Sequence, residues 1–430
     1  LTFIICFEHE RWYVRALWAL PAMALLFAAA THTDLEALKW WHLKLTPDFR
    51  AEIALVCAAV FLGCMVCHGE LTRLKPDPRH LTEFYLFLSA GGAMGGLFVS
   101  LAAPRLFKTY LEWPGVLLLT FGIAAFSLLC SAWTRRNRWL RFGLAGLALV
   151  PALLGIWFIG KWAFITKPRL EIVRNFYGVV SVEENFDDDG AGWLTLYHGS
   201  IIHGYQYLAE ESRNQPLSYY GNNSGIGLAL LTLKDRKDAR VGVVGMGSGT
   251  VASYGEKGHV YRFYDINPGM VRIARERFHF LEDLEQRGGK VEVAMGDARQ
   301  SLEREESQQF DVMLLDAFSG DAVPVHLLTR EAFEVYRRHL KPNGIIAVHV
   351  SNRYLKLTPV VEKVAAELGW QTTRISTELD RFNEITDYVM VTNDGVFLLA
   401  NPNEADESEA PLPVSLWTDR RHNLFEIMIK

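Results

Sequence analysis

The chain has 430 residues, half of them hydrophobic, and its 44 Lys and Arg against 49 Asp and Glu leave a formal net charge of −5. That length exceeds one ordinary domain, and the mild charge, with no Lys/Arg-dense stripe interleaved with aromatics, excludes nucleic acid as an expected partner. All five cysteines (Cys6, Cys57, Cys64, Cys67, Cys130) lie in the apolar N-terminal part, so the remainder has neither a disulfide framework nor a cysteine zinc site, as suits a reducing compartment.

The apolar run Leu1 to Phe7 is too short for a signal-peptide core with its cleavage site and reads as the end of a helix from a longer protein. A hydrocarbon layer about 30 Å thick needs roughly 20 apolar residues in helix. Windows near 12–30, 51–68, 84–104, 113–133 and 139–160 meet or approach that length, flanked by Trp12, Trp40, Trp41, Trp113, Trp133 and Trp139. Buried helices of a soluble domain would read alike one at a time. Five in succession predict a transmembrane helical region over 1–165.

Within the third window, Gly91/Gly95 and Gly92/Gly96 have the small-xxx-small spacing that lets backbones approach, which predicts a helix inside the bundle. Cys64, Cys67, His68 and Glu70 crowd one helix end, and His80 and Glu83 begin the next. Convergent metal ligands are one reading of that cluster; polar residues tying two helices together is the preferred one, and no metal is expected. Basic residues are balanced across the loops, so the positive-inside rule does not orient the spans.

After Lys167-Pro168 the pattern changes to short β-rich runs, Tyr177 to Glu183 and Trp193 to Tyr197, broken by Asp187-Asp188-Asp189-Gly190, predicting a small β-subdomain over 166–236. Over 237–400, strands at Val241–Val244, Tyr261–Tyr264, Val291–Ala294, Val312–Leu315 and Ile345–Val350 alternate with amphipathic helices. This alternation predicts an α/β domain with a mostly parallel sheet covered on both faces. Residues 401–430 read as an acidic solvated loop and a tail.

The strongest local motif is Gly245-Met246-Gly247-Ser248-Gly249, directly after the first of these strands. Glycines permit the tight strand-to-helix turn and the approach of a ligand to the backbone. Asp265 follows at the end of the second strand, where a carboxylate accepts ribose hydroxyls. The pattern lacks the third glycine spacing of dinucleotide folds, and Gly255 and Gly258 break the next helix early. A sulfonium nucleoside without a pyrophosphate is therefore favoured over NAD. Asp297 and Asp316 also fall at strand ends, so the three acids are expected to converge on one crevice. Singly, each reads equally well as a helix cap.

From Tyr177-Gly178 to about Ser351-Asn352 the chain resembles the spermidine synthase (aminopropyltransferase) family. As a whole it resembles the C-terminal part of membrane-fused spermidine-synthase-like proteins, through Cys67-His68-Gly69-Glu70-Leu71 and Leu81-Thr82-Glu83-Phe84-Tyr85-Leu86. The resemblance implies a Rossmann-like class I S-adenosylmethionine-binding fold behind a small N-terminal β-subdomain. It implies that Gly245, Gly247, Ser248 and Gly249 cradle the donor's methionine-derived part, that Asp265, with Ile266 beside it, takes the ribose, and that Asp297 with Ala298 takes the adenine. Asp316 would be the catalytic acid that accepts a proton from the attacking amine, since an amine is a nucleophile only when neutral. His203, Gln206, Tyr219, Tyr220 and Asp321 would contact the substrates, and His198 lies in the same hairpin region.

Two departures bear on specificity. The family's turn carries Asp where this chain has Ser248, which lessens repulsion toward an intact donor carboxylate and admits S-adenosylmethionine itself beside its decarboxylated form. The family's second acid also stands three residues after the catalytic one, where this chain has Ser319, with Asp321 two residues later. The expected activity is aminopropyl or aminocarboxypropyl transfer to an amine, with release of methylthioadenosine. Methyl transfer on the same fold, and an inactive ligand-binding domain of a transporter or sensor, are the alternatives. The expected setting is the inner cell membrane with the C-terminal domain in the cytosol, where the nucleoside donor is found. A small amine acceptor, lipid contact and a homodimer complete the expectation.

Overall fold

The computed structural model describes residues 1–32, 49–133, 143, 169–199, 201–317, 324–352, 354–377, 386–403 and 413–429. It divides into two compact units, Leu1–Lys167 and Pro168–Lys430.

In the first unit, helices Arg15–His32, Phe49–Arg73 and Glu112–Trp133 pack together. Their shared core includes Ala19, Ala22, Leu26, Ala59, Val66, Phe121 and Leu128. Two stretches, Ile53–Arg73 and Pro78–Leu106, are long and apolar enough to cross a membrane by length and composition. The fifth predicted window lies outside the described residues apart from Gly143.

The helix Leu81–Leu97 departs from expectation. It touches Phe7 through Phe84 and Tyr85, but apart from the helix's own neighbouring backbone no atom of the described residues comes within 4 Å of a Cβ built on Gly91, Gly92, Gly95 or Gly96. A helix that is apolar all round carries no stripe to say which face packs, so small-residue spacing alone could not place it.

Glu70 explains the polar cluster differently from a metal. Its carboxylate accepts from Arg15 Nε at 2.7 Å and Nη2 at 2.6 Å, from Tyr13 O–H at 2.9 Å and from Ser127 O–H at 2.7 Å. One carboxylate thereby ties three helical segments. Gly69 precedes it because a Cβ there would lie 2.1 Å from the Tyr13 ring. His68 Nδ1 meets the Thr2 hydroxyl at 2.9 Å. Among the described residues no group of three or more His, Cys, Asp and Glu could hold a metal ion.

In the second unit, β1 (Arg169–Asn175), β2 (Gly178–Phe186), β3 (Gly192–His198) and β4 (Ile201–Tyr207) form an antiparallel meander. The acidic run predicted as a break is the β2–β3 turn, where Asp187 accepts from the N–H groups of Asp189 and Ala191 and Gly190 has φ +83°. The main sheet contains β5 (Arg240–Val244), β6 (Val260–Asp265), β7 (Lys290–Met295), β8 (Phe310–Leu315), β9 (Leu340–His349), β10 (Gln371–Thr377) and β11 (Thr386–Thr392). Its spatial order is β10-β11-β9-β8-β5-β6-β7. Strands β5 to β9 are parallel; β11 and β10 are antiparallel.

Alternate residues of the parallel strands face opposite cores. Val241, Val243, Phe263, Val312 and Leu314 look to one side, Val244, Tyr264, Met313 and Leu315 to the other. Near-continuous apolar runs are what a strand covered on both faces requires. The tail is more than solvated chain: Trp417 is fully buried in the second core, and Asp419 receives both Nη groups of Arg299 at 2.6 and 2.5 Å. Most of the predicted acidic loop before it lies outside the described residues.

Candidate active site

The chain runs β5, β6, β7 outward to one edge and then returns to lay β8 on the other side of β5. The carboxyl ends of β5 and β8 therefore open into a crevice at the point where strand order reverses, the general ligand position of such sheets. A cavity of about 290 Å³ lies there. Its walls come from the glycine turn (Gly245, Met246, Gly247), the β6 end (Asp265, Ile266, Asn267), the β7 end (Gly296, Asp297, Ala298) and the β8 end (Asp316, Ala317). Tyr177, His198, His203, Tyr220 and His326 close it from the meander and neighbouring loops.

The glycine turn is tight because its closest neighbour is the chain itself. Gly245 has φ +94°, and a Cβ there would lie 2.4 Å from the backbone oxygen of Asp316. Gly249, at φ +82°, ends the turn, and only a five-residue 3-10 segment, Thr250–Tyr254, follows before Gly255. There is thus no long helix N-terminus to seat a pyrophosphate.

Asp265 accepts from Met246 N–H at 2.9 Å and Asn267 N–H at 2.7 Å, one on each oxygen. A carboxylate has about two acceptor sites per oxygen, so each keeps one for a ligand hydroxyl. Burial raises its pKa above the ordinary carboxylate value, opposed by the two backbone N–H groups. Asp297 is both cap and wall: Oδ1 accepts from Gln300 N–H at 2.9 Å at the start of helix Ala298–Arg304, and Oδ2 meets His326 Nε2 at 2.8 Å. Asp316 receives the Tyr220 hydroxyl at 2.5 Å and faces His349 Nδ1 at 2.7 Å. Burial holds Tyr220 well above the usual phenol pKa, with Asp316 adding to the shift, so it remains an O–H donor.

His203 faces the same space. Burial lowers its pKa to about 4 against the attraction of Asp316, with His198 and His349 adding to the fall, so the ring is neutral at pH 7. Its Nε2 is buried without a hydrogen-bond partner among the described residues. His198 Nε2 contacts the Tyr177 carbonyl at 2.9 Å, a backbone-tying role at the turn.

Several predicted residues stand elsewhere. Gln206 is buried under the hairpin, where its amide donates to Arg213 O at 3.1 Å and accepts from His279 N–H at 3.0 Å. Ser248 is fully buried against Thr250 at 2.8 Å, and Gly204 lacks a Cβ because one would lie 2.2 Å from the Ser248 oxygen. Neither Ser248 nor Gly249 lines the cavity. Tyr219 stacks on His349 instead of lining it. Asp321, with Ser319, lies outside the described residues. The sequence reading missed His349 and His326; His349 ends a parallel strand on the same edge as the three acids, and that rule could have found it.

No family model matches the chain. Two curated relatives are polyamine aminopropyltransferases: one from Vibrio vulnificus, 32% identical over 120 residues, and one from Oceanobacillus iheyensis, 34% identical over 156 residues. The matches cover 26% and 35% of this chain, which spans 38% and 28% of those proteins' lengths. Among solved structures, the spermidine synthase of Thermotoga maritima is similar at 12% identity and TM-score 0.41, covering 59% of this chain and 81% of that one. A probable spermidine synthase of Corynebacterium glutamicum is similar at 16% identity and TM-score 0.40, covering 53% and 80%. Strand order and the crevice at the reversal define the second unit as a Rossmann-like fold with a cavity lined by three acids. Over the matched segments the chain is similar to these polyamine aminopropyltransferases.

Proposed function

We propose that the chain is a membrane-bound transferase that moves an aminopropyl group from decarboxylated S-adenosylmethionine to a small amine and releases methylthioadenosine. The observation that carries the reading is Asp316, whose carboxylate is held by Tyr220 at 2.5 Å on the wall of a cavity lined by two further acids. The acceptor enters as an ammonium and loses a proton to this carboxylate, and the freed lone pair attacks the methylene carbon bound to the sulfonium. The C–S bond breaks with its electron pair going to sulfur, leaving a neutral thioether. No step requires a metal.

The cavity's charge supports the decarboxylated donor over the intact one. Its described lining holds Asp265, Asp297 and Asp316 and no Lys or Arg. A donor carboxylate would meet like charge there, whereas a donor ammonium and an amine acceptor meet opposite charge. Ser248 does not tip that balance, because it is turned into the protein. The stretches Ile53–Arg73 and Pro78–Leu106 support membrane anchorage, with the second unit on the cytosolic side, where the donor is available.

The test incubates full-length protein in detergent or vesicles with decarboxylated or intact S-adenosylmethionine, and with putrescine or a membrane lipid extract as acceptor. Methylthioadenosine is expected with the decarboxylated donor. None with either donor would sink the proposal, and S-adenosylhomocysteine in its place would make the protein a methyltransferase. Loss of the protein from membranes under alkaline carbonate would remove the anchorage.

A further inference from the structure

Asp316 is gripped by a side chain that neither the glycine turn nor the meander supplies. Strands β8 and β9 are parallel with Leu315 opposite Val348. The next residues, Asp316 and His349, therefore stand side by side where the two strands end, and His349 Nδ1 lies 2.7 Å from Asp316 Oδ1. The side chains are only 9% and 5% exposed, so bulk water does not compete for the contact.

The imidazole is held flat between two rings. Tyr219 stacks on it with centroids 4.8 Å apart and planes at 24°; Tyr388 stacks with centroids 5.0 Å apart and planes at 22°. Tyr388 is the register partner of His349 in β11, and its hydroxyl donates to the Tyr219 carbonyl at 3.2 Å, which locks the two sides to each other. An ionised carboxylate oxygen only accepts, so the proton of this hydrogen bond belongs on Nδ1.

We propose that His349 is a positioning residue for aminopropyl transfer: its Nδ1–H and the Tyr220 O–H form a two-sided grip that fixes the Asp316 carboxylate and leaves its remaining lone pairs to the acceptor amine. The proposal rests on the transfer reading above. An ionised carboxylate offers about four acceptor sites, and the grip occupies two, one on each oxygen. The incoming ammonium thus meets a fixed direction instead of a freely rotating carboxylate, and its proton leaves along that line.

Among the described residues, Asp316, Tyr219 and Tyr388 face His349, with His203 also in its field. Tyr220 and Tyr388 stay protonated because burial holds both well above the usual phenol value. A donor to the charged form favours ionisation. Its removal withdraws one of the two contacts that hold the charged carboxylate in place.

The experiment compares H349L, which deletes the donor at similar volume, with H349N, which keeps an N–H near the Nδ1 position. H349L is expected to lower kcat/KM by about 10- to 100-fold, the range for losing a hydrogen bond to a charged group. The acid limb of its pH profile is expected to move up by about one unit. H349N is expected to recover most of both changes. Lower activity with the limb in place, and H349N no better than H349L, would make His349 merely structural and overturn the proposal.

A second readout does not depend on turnover. In histidine ¹⁵N spectra of the full chain in micelles, the signal absent from H349N is expected to show the Nδ1–H tautomer and to shift in D316N. An Nε2–H tautomer, or indifference to D316N, overturns the grip. If no donor and acceptor pair is turned over, the transfer reading fails while these spectra still decide the hydrogen bond.

Discussion

Gly245→Ala isolates the physical demand of the glycine turn. Two costs are involved. A residue with a Cβ held at positive φ costs roughly 1–2 kcal/mol, and Gly245 sits at φ +94°. The new methyl would also lie 2.4 Å from the Asp316 carbonyl oxygen and 3.2 Å from the Ala317 Cα. Both are backbone at the end of β8, with no flexible side chain to swing aside, and overpacking of that kind costs roughly 1–3 kcal/mol. Together they amount to about 2–5 kcal/mol. For a unit as large as Pro168–Lys430, each kcal/mol is worth about 2–4 °C, so melting is expected about 4–20 °C lower. Circular dichroism melts of the full chain measure this. The control is Gly369→Ala, at φ +74° with nothing within 4 Å of the added methyl, which carries the backbone cost alone. If the Gly245 variant melts with the control, the proposed clash with β8 is wrong.

Replacing Asp316 by Asn removes both the charge and the base, and methylthioadenosine release is expected to fall about 10²- to 10⁴-fold. Asp265→Asn leaves one of the Met246 and Asn267 N–H groups facing an amide N–H₂; a stability loss of about 1–3 kcal/mol by denaturant titration and weaker adenosine binding by calorimetry are expected. His203 is held neutral with its pKa at about 4, below the unfolded value of about 6.5. Between these values the unfolded chain binds the extra proton, so stability should fall as pH drops from about 6.5 toward 4, and H203Q should flatten that part of the melting profile. Gly69→Ala places a methyl 2.1 Å from the Tyr13 ring, and should separate Tyr13 from Glu70 and lower the melting temperature of the helical unit in detergent.

Much of the site was legible because one rule applied repeatedly. A polar residue ending an apolar strand in an alternating α/β pattern lies at the carboxyl edge of the sheet, and Asp265, Asp297 and Asp316 obeyed it. Cap and ligand readings proved compatible for Asp297, which caps a helix through one oxygen and faces the cavity as well. Side-chain direction was not legible: Ser248 and Gln206 sit in the right segments, but they turn into the protein to meet Thr250, Arg213 and His279. Strands β10 and β11 were also missed; the Thr-rich run of the edge strand β10 shows weaker apolar continuity than the central strands.

Sequence alone determined the two-part architecture, the central strands and the glycine turn. Strand burial on both faces and the need for positive φ are local requirements that leave their mark residue by residue. Tertiary structure decided which face of Leu81–Leu97 finds a neighbour, which polar side chains reach the cavity, and that Asp316 shares its carboxylate between Tyr220 and His349. Those outcomes depend on the register of strands far apart in the chain, β8 beside β9 and β9 beside β11. No local pattern encodes such register, because it is set by the packing of the whole sheet.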